Sequence, residues 1–400
     1  MGSRRTDGQD TIYDSFLQIH SDPIRPFLAG AVVLAVAMGI GRFAYTPLLV
    51  VMRADAGLSV AFAGVLASAN LVGYLGGALL AMHPHARAHR LMLVRAGSIV
   101  VVLSTAMMAL PSNVWLPARF VTGLASGVVF VTVAGLLLDL VAEVESRHGT
   151  AILFAGVGSG IAVAGVLVPA FATLGGSRAA WLGLATVGAI ALAAALPALP
   201  AVRETTSTAG VRSDTRRLYP WLAVVYGVEG AAYIIPATFL VAIVSETHAI
   251  ARYAAASWIL VGIIAIPSTA VWGAAARRWG TAWAFALAAA LQSLTLLAPA
   301  AVGGPASVLI VGVGLGATFM GISSLGTALA RDLRPANGNA AIGLLTVLYG
   351  IGQILGPLAA TRVALATGSY RGALPLAGTA LLAVAIAFAV RLSREPSAAT

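Results

Sequence analysis

The strongest constraint on the fold of this chain is a series of twelve long apolar runs separated by short polar breaks. Each run reaches the roughly 20 residues that an α-helix needs to cross a hydrocarbon core of about 30 Å. Within lipid, backbone N–H and C=O groups must be bonded internally, so runs of this length predict helices. We therefore expect an all-α polytopic membrane protein with twelve transmembrane helices. The runs lie near residues 26–52, 59–82, 91–111, 114–138, 149–173, 179–199, 220–244, 253–275, 281–300, 305–330, 339–366 and 372–390.

The composition agrees with lipid as the solvent and excludes two other classes of protein. The chain is 59% hydrophobic and only 10% charged, whereas soluble domains carry about 25% charged residues. Disordered chains are poor in apolar residues, so disorder is excluded as well. The net charge of +10 does not indicate nucleic-acid binding, because the basic residues stand singly or in pairs between apolar runs and form no basic, aromatic-studded face.

The arginines indicate the orientation of the helices. All 24 basic residues are arginine; with the N-terminus inside, 17 fall on the cytoplasmic side and 5 on the outer side, while Arg42 and Arg119 lie within runs. This asymmetry obeys the positive-inside rule. We predict a multi-pass protein of the cytoplasmic (inner) membrane with both termini in the cytoplasm.

A polar break at 200–218 divides the chain into two comparable parts. It is Ser/Thr-rich and basic and lacks apolar periodicity, which is typical of a linker. The two parts repeat: residues 312–319 resemble residues 123–130 at an offset of 189, and Tyr233 follows Tyr45 at an offset of 188. The predicted organisation is a tail at 1–25, a six-helix bundle at 26–199, the linker at 200–218, a second six-helix bundle at 219–391 and a tail at 392–400.

Five stretches carry a resemblance to a known family. They read GIGRFAYTP from residue 39, ASANLVGYLG from 67, YIIPATFL from 233, GATFMG from 316 and YGIGQILGP from 349. On these motifs the chain resembles the major facilitator superfamily over about residues 26–391, and within it the YbfB/YjiJ-like branch. The resemblance implies a monomeric secondary transporter with a substrate site between two six-helix halves near the membrane midplane. It does not imply a particular substrate.

The chain departs from the wider superfamily at its cytoplasmic loops. Residues 82–90 contain no acid, although the superfamily usually carries an aspartate with arginines in this loop. In the equivalent loop of the second half, between the runs 253–275 and 281–300, Arg277 stands where an aspartate would be expected. A cytoplasmic latch built on that aspartate is therefore not expected.

Charged side chains inside the runs are the strongest indication of a functional site, because each costs roughly 2.5–3.5 kcal/mol at the bilayer centre. Arg42 lies deep in the first run, where it either grips an anionic substrate group or pairs structurally with a neighbouring helix. Glu229 lies at comparable depth in the seventh run and is predicted to carry the coupled proton; a fixed ion pair with Arg42 or Arg119 is the alternative. Arg119 is a second substrate-binding candidate, unless it snorkels to the outer interface.

Neutral polar and aromatic side chains at similar depth are predicted to line the same cavity. Amides are costly to bury unpaired, which makes Asn70 and Gln353 the best of them. The alternative is that ordinary hydrogen bonds between helices satisfy these groups. The remaining candidates for substrate binding are Tyr45, Tyr74, Tyr233, Thr238 and Phe319.

These features favour a proton-coupled secondary transporter of a small organic or inorganic anion. Its partners would be the substrate, protons and the lipid bilayer, with no nucleic acid. The alternatives are an efflux antiporter of amphipathic compounds, favoured by the glycines of the 149–173 run, and a non-transporting sensor on the same fold. An enzyme is not expected, because no paired acids, zinc-protease motif or nucleophile motif is present. We expect no cofactor and no metal, and interpret His83, His85 and His89 as a solvated turn.

Overall fold

A computed structural model of the chain describes residues 24–143, 148–200, 215–302, 304–334 and 338–394. Within these ranges the secondary structure is helical and no strand is formed. The predicted N-terminal tail up to residue 23, the linker over 201–214 and the last six residues lie outside the described residues. The expectation of an all-α, multi-pass membrane protein is confirmed.

Eleven helices in the described ranges are long and apolar enough to cross a membrane. Large apolar side chains such as those of Leu80 and Ile190 are exposed on their outer faces, as contact with lipid requires. In chain order the helices are α1 Arg25–Asp55, α2 Val60–Met82, α3 Arg90–Met107, α4 Trp115–Glu143, α5 Gly149–Ala195, α6 Tyr219–Glu246, α7 Ala254–Trp279, α8 Thr281–Ala301, α9 Gly304–Leu333, α10 Gly338–Thr367 and α11 Ala373–Ser393.

Helix α5 covers both the fifth and the sixth predicted run, and it is interrupted between them. Gly175 and Gly176 have non-helical backbone angles, and Gly176 has φ of +63° and ψ of −151°, a region open essentially to glycine alone. The N–H of Ser177 donates to Oδ2 of Asp55, 2.5 Å away. Asp55 thus satisfies one of the N–H groups exposed where the helix restarts.

Helix α1 changes its winding near its middle. It is α-helical over Arg25–Leu34, π-helical over Ala35–Phe43 and α-helical again over Tyr45–Asp55. The π-helical turns end at Phe43, whose carbonyl receives no hydrogen bond from Pro47 four residues later, because proline has no N–H. Segments of π-helix are rare and occur frequently at functional sites. Arg42 lies in the last turn of this one.

Close backbone contacts position two of the helix pairs. A Cβ atom at Gly123 of α4 would overlap the carbonyl of Asn70 on α2, and one at Gly352 of α10 would overlap the carbonyl of Gly227 on α6. Small residues of this kind let membrane helices approach closely enough for van der Waals packing to hold them. The crossings therefore fix Asn70 beside α4 and Gln353 beside α6.

Helices from before and after the 201–214 gap meet most extensively along three interfaces. Helix α2 packs on α10, α5 packs on α7, and the Tyr45–Asp55 part of α1 packs on α6. The Ser68 hydroxyl of α2 donates to the carbonyl of Ile354, 3.0 Å away on α10. The other end of α1, Arg25–Leu34, packs on α4 and α5. The middle of α1 is thus the point where the two groups of helices come together around the predicted site.

Candidate functional site

A small polar cavity lies between α1, α2, α4 and α6. Its volume is about 20 Å³, room for about one water molecule. Both parts of the chain contribute to its wall, because Ile234, Ala237 and Thr238 come from α6. Five of the predicted site residues line it: Arg42, Tyr45, Asn70, Arg119 and Thr238.

Arg42 connects α1 to helices from the other part of the chain. Its Nη2 donates to the hydroxyl of Tyr233 at 2.7 Å and to Oε1 of Gln353. The guanidinium carbon lies 4.4 Å from the ring centroid of Tyr74 and 5.1 Å from that of Phe43, within the range of cation–π attraction. Its Nε is buried without a hydrogen-bond partner. Side chains from three other helices, α2, α6 and α10, therefore hold the Arg42 guanidinium, and none of these side chains is a carboxylate.

Arg119 lies in the cavity and does not snorkel to the membrane interface. Only 2% of its surface is exposed. Its Nη1 donates to the carbonyl of Gly41 at 3.1 Å, and its guanidinium carbon lies 4.6 Å from the ring centroid of Tyr45. Its Nε is buried without a partner, like that of Arg42. Of the two interpretations of this residue, the interfacial one is wrong, because the α1 backbone and a tyrosine face enclose the guanidinium.

Asn70 lines the same cavity and has a side-chain oxygen without a hydrogen-bond donor. Its Nδ2 donates to the backbone carbonyl of Arg119 at 3.0 Å, which fixes the orientation of the amide because that carbonyl can only accept. The Oδ1 atom is then left buried without a donor. The residues that line the cavity thus include two guanidiniums and an amide whose oxygen has no donor.

Two of the predicted aromatic residues, Tyr233 and Phe319, form a stack with Tyr349 beside Arg42. The ring of Tyr233 stacks on Phe319 at 6.0 Å between centroids and on Tyr349 at 5.3 Å, and Phe319 meets Phe43 edge-on at 6.1 Å. The hydroxyl of Tyr45 donates to the carbonyl of Ala63 at 2.9 Å. The phenol of Tyr233 is therefore positioned both by stacking and by Arg42.

Glu229 forms a separate polar cluster within α6, α8 and α9. It has no exposed surface, and Nε2 of Gln292 lies 2.8 Å from each of its carboxyl oxygens. The Thr318 hydroxyl lies 2.6 Å from Oε1 of Gln292 and 2.6 Å from the carbonyl of Gly314. Among the described residues its hydrogen-bond partner is the Gln292 amide, and a buried carboxyl group without a cationic partner is in an environment that disfavours charge.

The alternative interpretation of Arg42 and Glu229 as a fixed ion pair is not supported by this geometry. Within the described ranges, the ion pairs join Arg53 to Glu246 at 3.2 Å and Arg90 to Asp139 at 2.5 Å. Arg42, Arg119 and Glu229 take part in neither. The two buried charges of opposite sign are thus held by separate sets of neutral partners.

Sequence reasoning did not identify Gln292 and Thr318 as site residues. A signal for Gln292 was present, because it is the only amide in the apolar run 281–300 and the cost that singled out Asn70 and Gln353 applies to it equally. Thr318 had no such signal, because a threonine can satisfy its hydroxyl on its own helix.

Polar contacts close the cavity towards the end of α1 that carries Arg53. The Thr46 hydroxyl donates to the Ala237 carbonyl of α6. Further along, Arg53 pairs with Glu246 at 3.2 Å, and the Ser369 hydroxyl donates to the same carboxylate at 3.1 Å. These contacts tie α1, α6 and the α10–α11 connection together at this end.

A larger cavity lies elsewhere and lacks the chemistry of a substrate site. It measures about 200 Å³ between α6, α10 and α11, and every side chain that lines it is apolar. Such a groove offers nothing that could orient a polar solute. Among the described residues, no group of three or more His, Asp or Glu side chains is placed to hold a metal ion.

Comparison with known proteins gives a family and a fold. The family model described as uncharacterised MFS-type transporter YbfB matches residues 34–390. The crystal structure of a mutant of the nucleoside transporter NupG superposes with a TM-score of 0.69 at 13% identity, covering 91% of this chain and 99% of that one. A crystal structure of nucleoside transporter NupG gives 0.66 at 13% identity, with 91% and 98% covered. No curated protein sequence matches this chain.

Proposed function

The chain belongs to the YbfB family of MFS-type transporters, and from that premise we propose that it moves a small organic or inorganic anion across the cytoplasmic membrane by proton-coupled alternating access. It is a membrane transporter and not an enzyme. We propose its substrate class, its coupling ion and its orientation in the membrane.

The membrane topology that we propose has twelve crossings in two six-helix halves. A helix the length of α5, 47 residues, is about 70 Å long at 1.5 Å per residue, roughly twice the hydrocarbon core. Its break at Gly175 and Gly176 lets it cross twice, so that eleven helices make twelve crossings. From the arginine asymmetry we propose that both termini and the 200–218 linker lie in the cytoplasm, with the Arg53–Glu246 contact at the outer surface.

The observation that carries the anion proposal is the pair of guanidiniums in one cavity without a carboxylate. Arg42 and Arg119 are 5% and 2% exposed, and neither has an acidic partner among the described residues. A charge buried at this depth is costly unless it is compensated. A transported anion supplies that compensation, and it does so at the interface between the two groups of helices, where transporters of this architecture bind substrate.

Glu229 is the proposed carrier of the coupled proton. Its burial and its amide partner favour the neutral, protonated form in the conformation described here. Exposure to water on one side of the membrane would favour release of the proton. Glu229 shares α6 with Tyr233, the residue that accepts from Arg42, so a movement of α6 would affect both the anion cavity and the proton site.

A neutral substrate is the main competing proposal. The solved structures that resemble this chain are of a nucleoside transporter, and the stacked rings of Tyr233, Phe319 and Tyr349 are suited to an aromatic ligand. An uncharged nucleoside would, however, leave both guanidiniums without a counter-charge. The charge of the cavity therefore favours an anion. An efflux antiporter of amphipathic compounds and a non-transporting sensor also compete with the anion transporter, and the experiment below distinguishes the sensor.

Uptake into proteoliposomes tests the proposal. Purified protein is reconstituted, a pH gradient is imposed, and the accumulation of radiolabelled small anions and of nucleosides is compared for wild type and Arg42→Gln. We expect anion accumulation that collapses when the gradient is dissipated and is absent in Arg42→Gln. Accumulation of nucleosides but not anions would contradict the anion assignment, and binding without uptake would favour a sensor.

A further inference from the structure

This inference rests on the proposed function and narrows its substrate class. We propose that the cavity between Arg42 and Arg119 takes a small dianion whose charges are carried by oxygen atoms, with a hydroxyl or amino donor beside one charged group. A hydroxydicarboxylate has this chemistry.

The charge of the cavity favours a dianion over a monoanion. The described residues that line the cavity include two arginines and no acid, and the ion pairs of the described residues involve neither arginine. The aromatic faces beside the guanidiniums attract them but carry no net charge. A monoanion would therefore leave one buried guanidinium uncompensated, whereas a dianion compensates both.

The free hydrogen-bonding atoms define the chemistry of the charged groups. A guanidinium carries five N–H donors, yet Arg42 and Arg119 make three hydrogen bonds together with the described residues. The faces of Arg42 are flanked by Tyr74 and Phe43, and Arg119 lies over Tyr45. A ligand must therefore approach the guanidinium edges, where carboxylate and phosphate oxygens bind in the plane of the fork.

Asn70 supplies the second element of specificity. Its Oδ1 is a buried acceptor without a donor, on a wall otherwise rich in N–H donors. A ligand made only of carboxylates cannot satisfy it. A hydroxyl or amino group next to one charged end can, which is why the proposed dianion carries such a donor.

Size sets the upper limit of the ligand. The cavity of about 20 Å³ holds about one water molecule, and Arg42, which lines it, is also held by hydrogen bonds to Tyr233 and Gln353. Only a compact ligand can enter by modest displacement of these side chains. A dianion of three or four carbons, or a phosphate, fits this limit better than a nucleotide.

The test is the thermal stability of the detergent-solubilised full-length protein against ligands of similar size and different charge. The probes are succinate and L-malate as dianions, monomethyl succinate as a monoanion, dimethyl succinate as a neutral compound, and inorganic phosphate. From the melting shifts at a series of concentrations we expect succinate to bind at least about tenfold more tightly than its half-ester, the value of one charge-assisted contact. L-malate should exceed succinate by roughly three- to tenfold.

Matched variants assign the effect to the cavity. In Arg119→Gln the advantage of succinate over its half-ester should disappear, and in Asn70→Leu the advantage of malate over succinate should disappear. The control is Arg362→Gln, an exposed arginine on α10, which should change neither ratio. If inorganic phosphate binds more tightly than the dicarboxylates, the two negative charges of the substrate are carried by a phosphoryl group.

The outcomes separate this inference from the function on which it rests. Equal or tighter binding of the half-ester, or no stabilisation by any dianion including phosphate, would overturn the dianion inference even if anion uptake is observed. Preference for the neutral diester, unchanged in Arg42→Gln, would overturn the anion proposal itself. The wild-type ligand series decides the question even if a variant does not fold.

Discussion

The contact between Glu229 and Gln292 makes a quantitative prediction about stability. Gln292→Met removes the only amide that contacts the two carboxyl oxygens, while methionine, unbranched and flexible, fills a similar space. The Thr318 hydroxyl keeps the Gly314 carbonyl as its acceptor. The cost therefore arises from one orphaned carboxyl group, about 1–3 kcal/mol for a buried polar group left without a partner.

Removing both partners should cost less than removing one. The double variant Glu229→Met/Gln292→Met has no orphaned polar group at this position, and exchanges of this kind are nearly neutral. Hydrogen bonds between membrane helices average about 0.6 kcal/mol in double-mutant cycles, so we expect a favourable coupling energy between about 0.6 and about 3 kcal/mol.

The assay is the free energy of unfolding in mixed micelles, measured by denaturing-detergent titration for the wild type, both single variants and the double variant. Ser293→Ala is the control, because that hydroxyl donates only to the Ala289 carbonyl of its own helix. A double variant destabilised by the full sum of the two single variants would refute the reasoning, since it would mean that the two side chains do not depend on each other.

Three more predictions test the break in α5, the membrane topology and the closure of the cavity at the Arg53 end. Gly176→Ala should lower stability by roughly 1–3 kcal/mol, because its backbone angles exclude a side chain and a Cβ would meet Asp55; Gly175→Ala is the thermal-unfolding comparison and should cost less. Alkaline phosphatase fused within the 200–218 linker should be inactive, and an active fusion would contradict the topology. Arg53→Ala should lower the free energy of unfolding by less than about 1 kcal/mol, because the side chains of Arg53 and Glu246 are 34% and 31% exposed. The same substitution should nevertheless speed the reaction of a water-soluble thiol reagent with an introduced Tyr45→Cys, the single cysteine of this otherwise cysteine-free chain. An unchanged labelling rate would contradict closure of the cavity at this end.

The fold class and several residues of the candidate site could be predicted because, in a membrane, the burial of a single polar or charged residue has a large free-energy cost. Runs of about 20 apolar residues have few alternatives to helix, and the cost of an intramembrane charge singled out Arg42 and Glu229 without any knowledge of their neighbours. The break between the fifth and sixth runs was also visible, since Gly175 and Gly176 lie between them.

The partners of these residues could not be predicted, because they depend on which helix faces meet. Arg119 lies near the end of an apolar run, so its position in the sequence is equally compatible with a side chain that reaches the membrane interface. The packing of α1 against α4 encloses the guanidinium instead. Glu229 and Arg42 occupy comparable depths, which suggested a pair, but the rotation of α6 turns Glu229 towards α8 and Tyr233 towards Arg42. Depth along a helix is encoded locally, whereas its rotation is set by packing.

We propose that Arg42 binds the anion and that Glu229 carries the proton whose movement drives anion transport, and Glu229→Gln separates the two roles. Anion exchange and pH-driven accumulation are measured in the same proteoliposomes. The glutamine mimics the protonated carboxyl, so exchange of labelled for unlabelled anion should persist while accumulation against a gradient is lost. Arg42→Ala should lose both, because the anion then has no counter-charge. Full pH-driven accumulation in Glu229→Gln, or in Arg42→Gln/Glu229→Gln, would contradict the account.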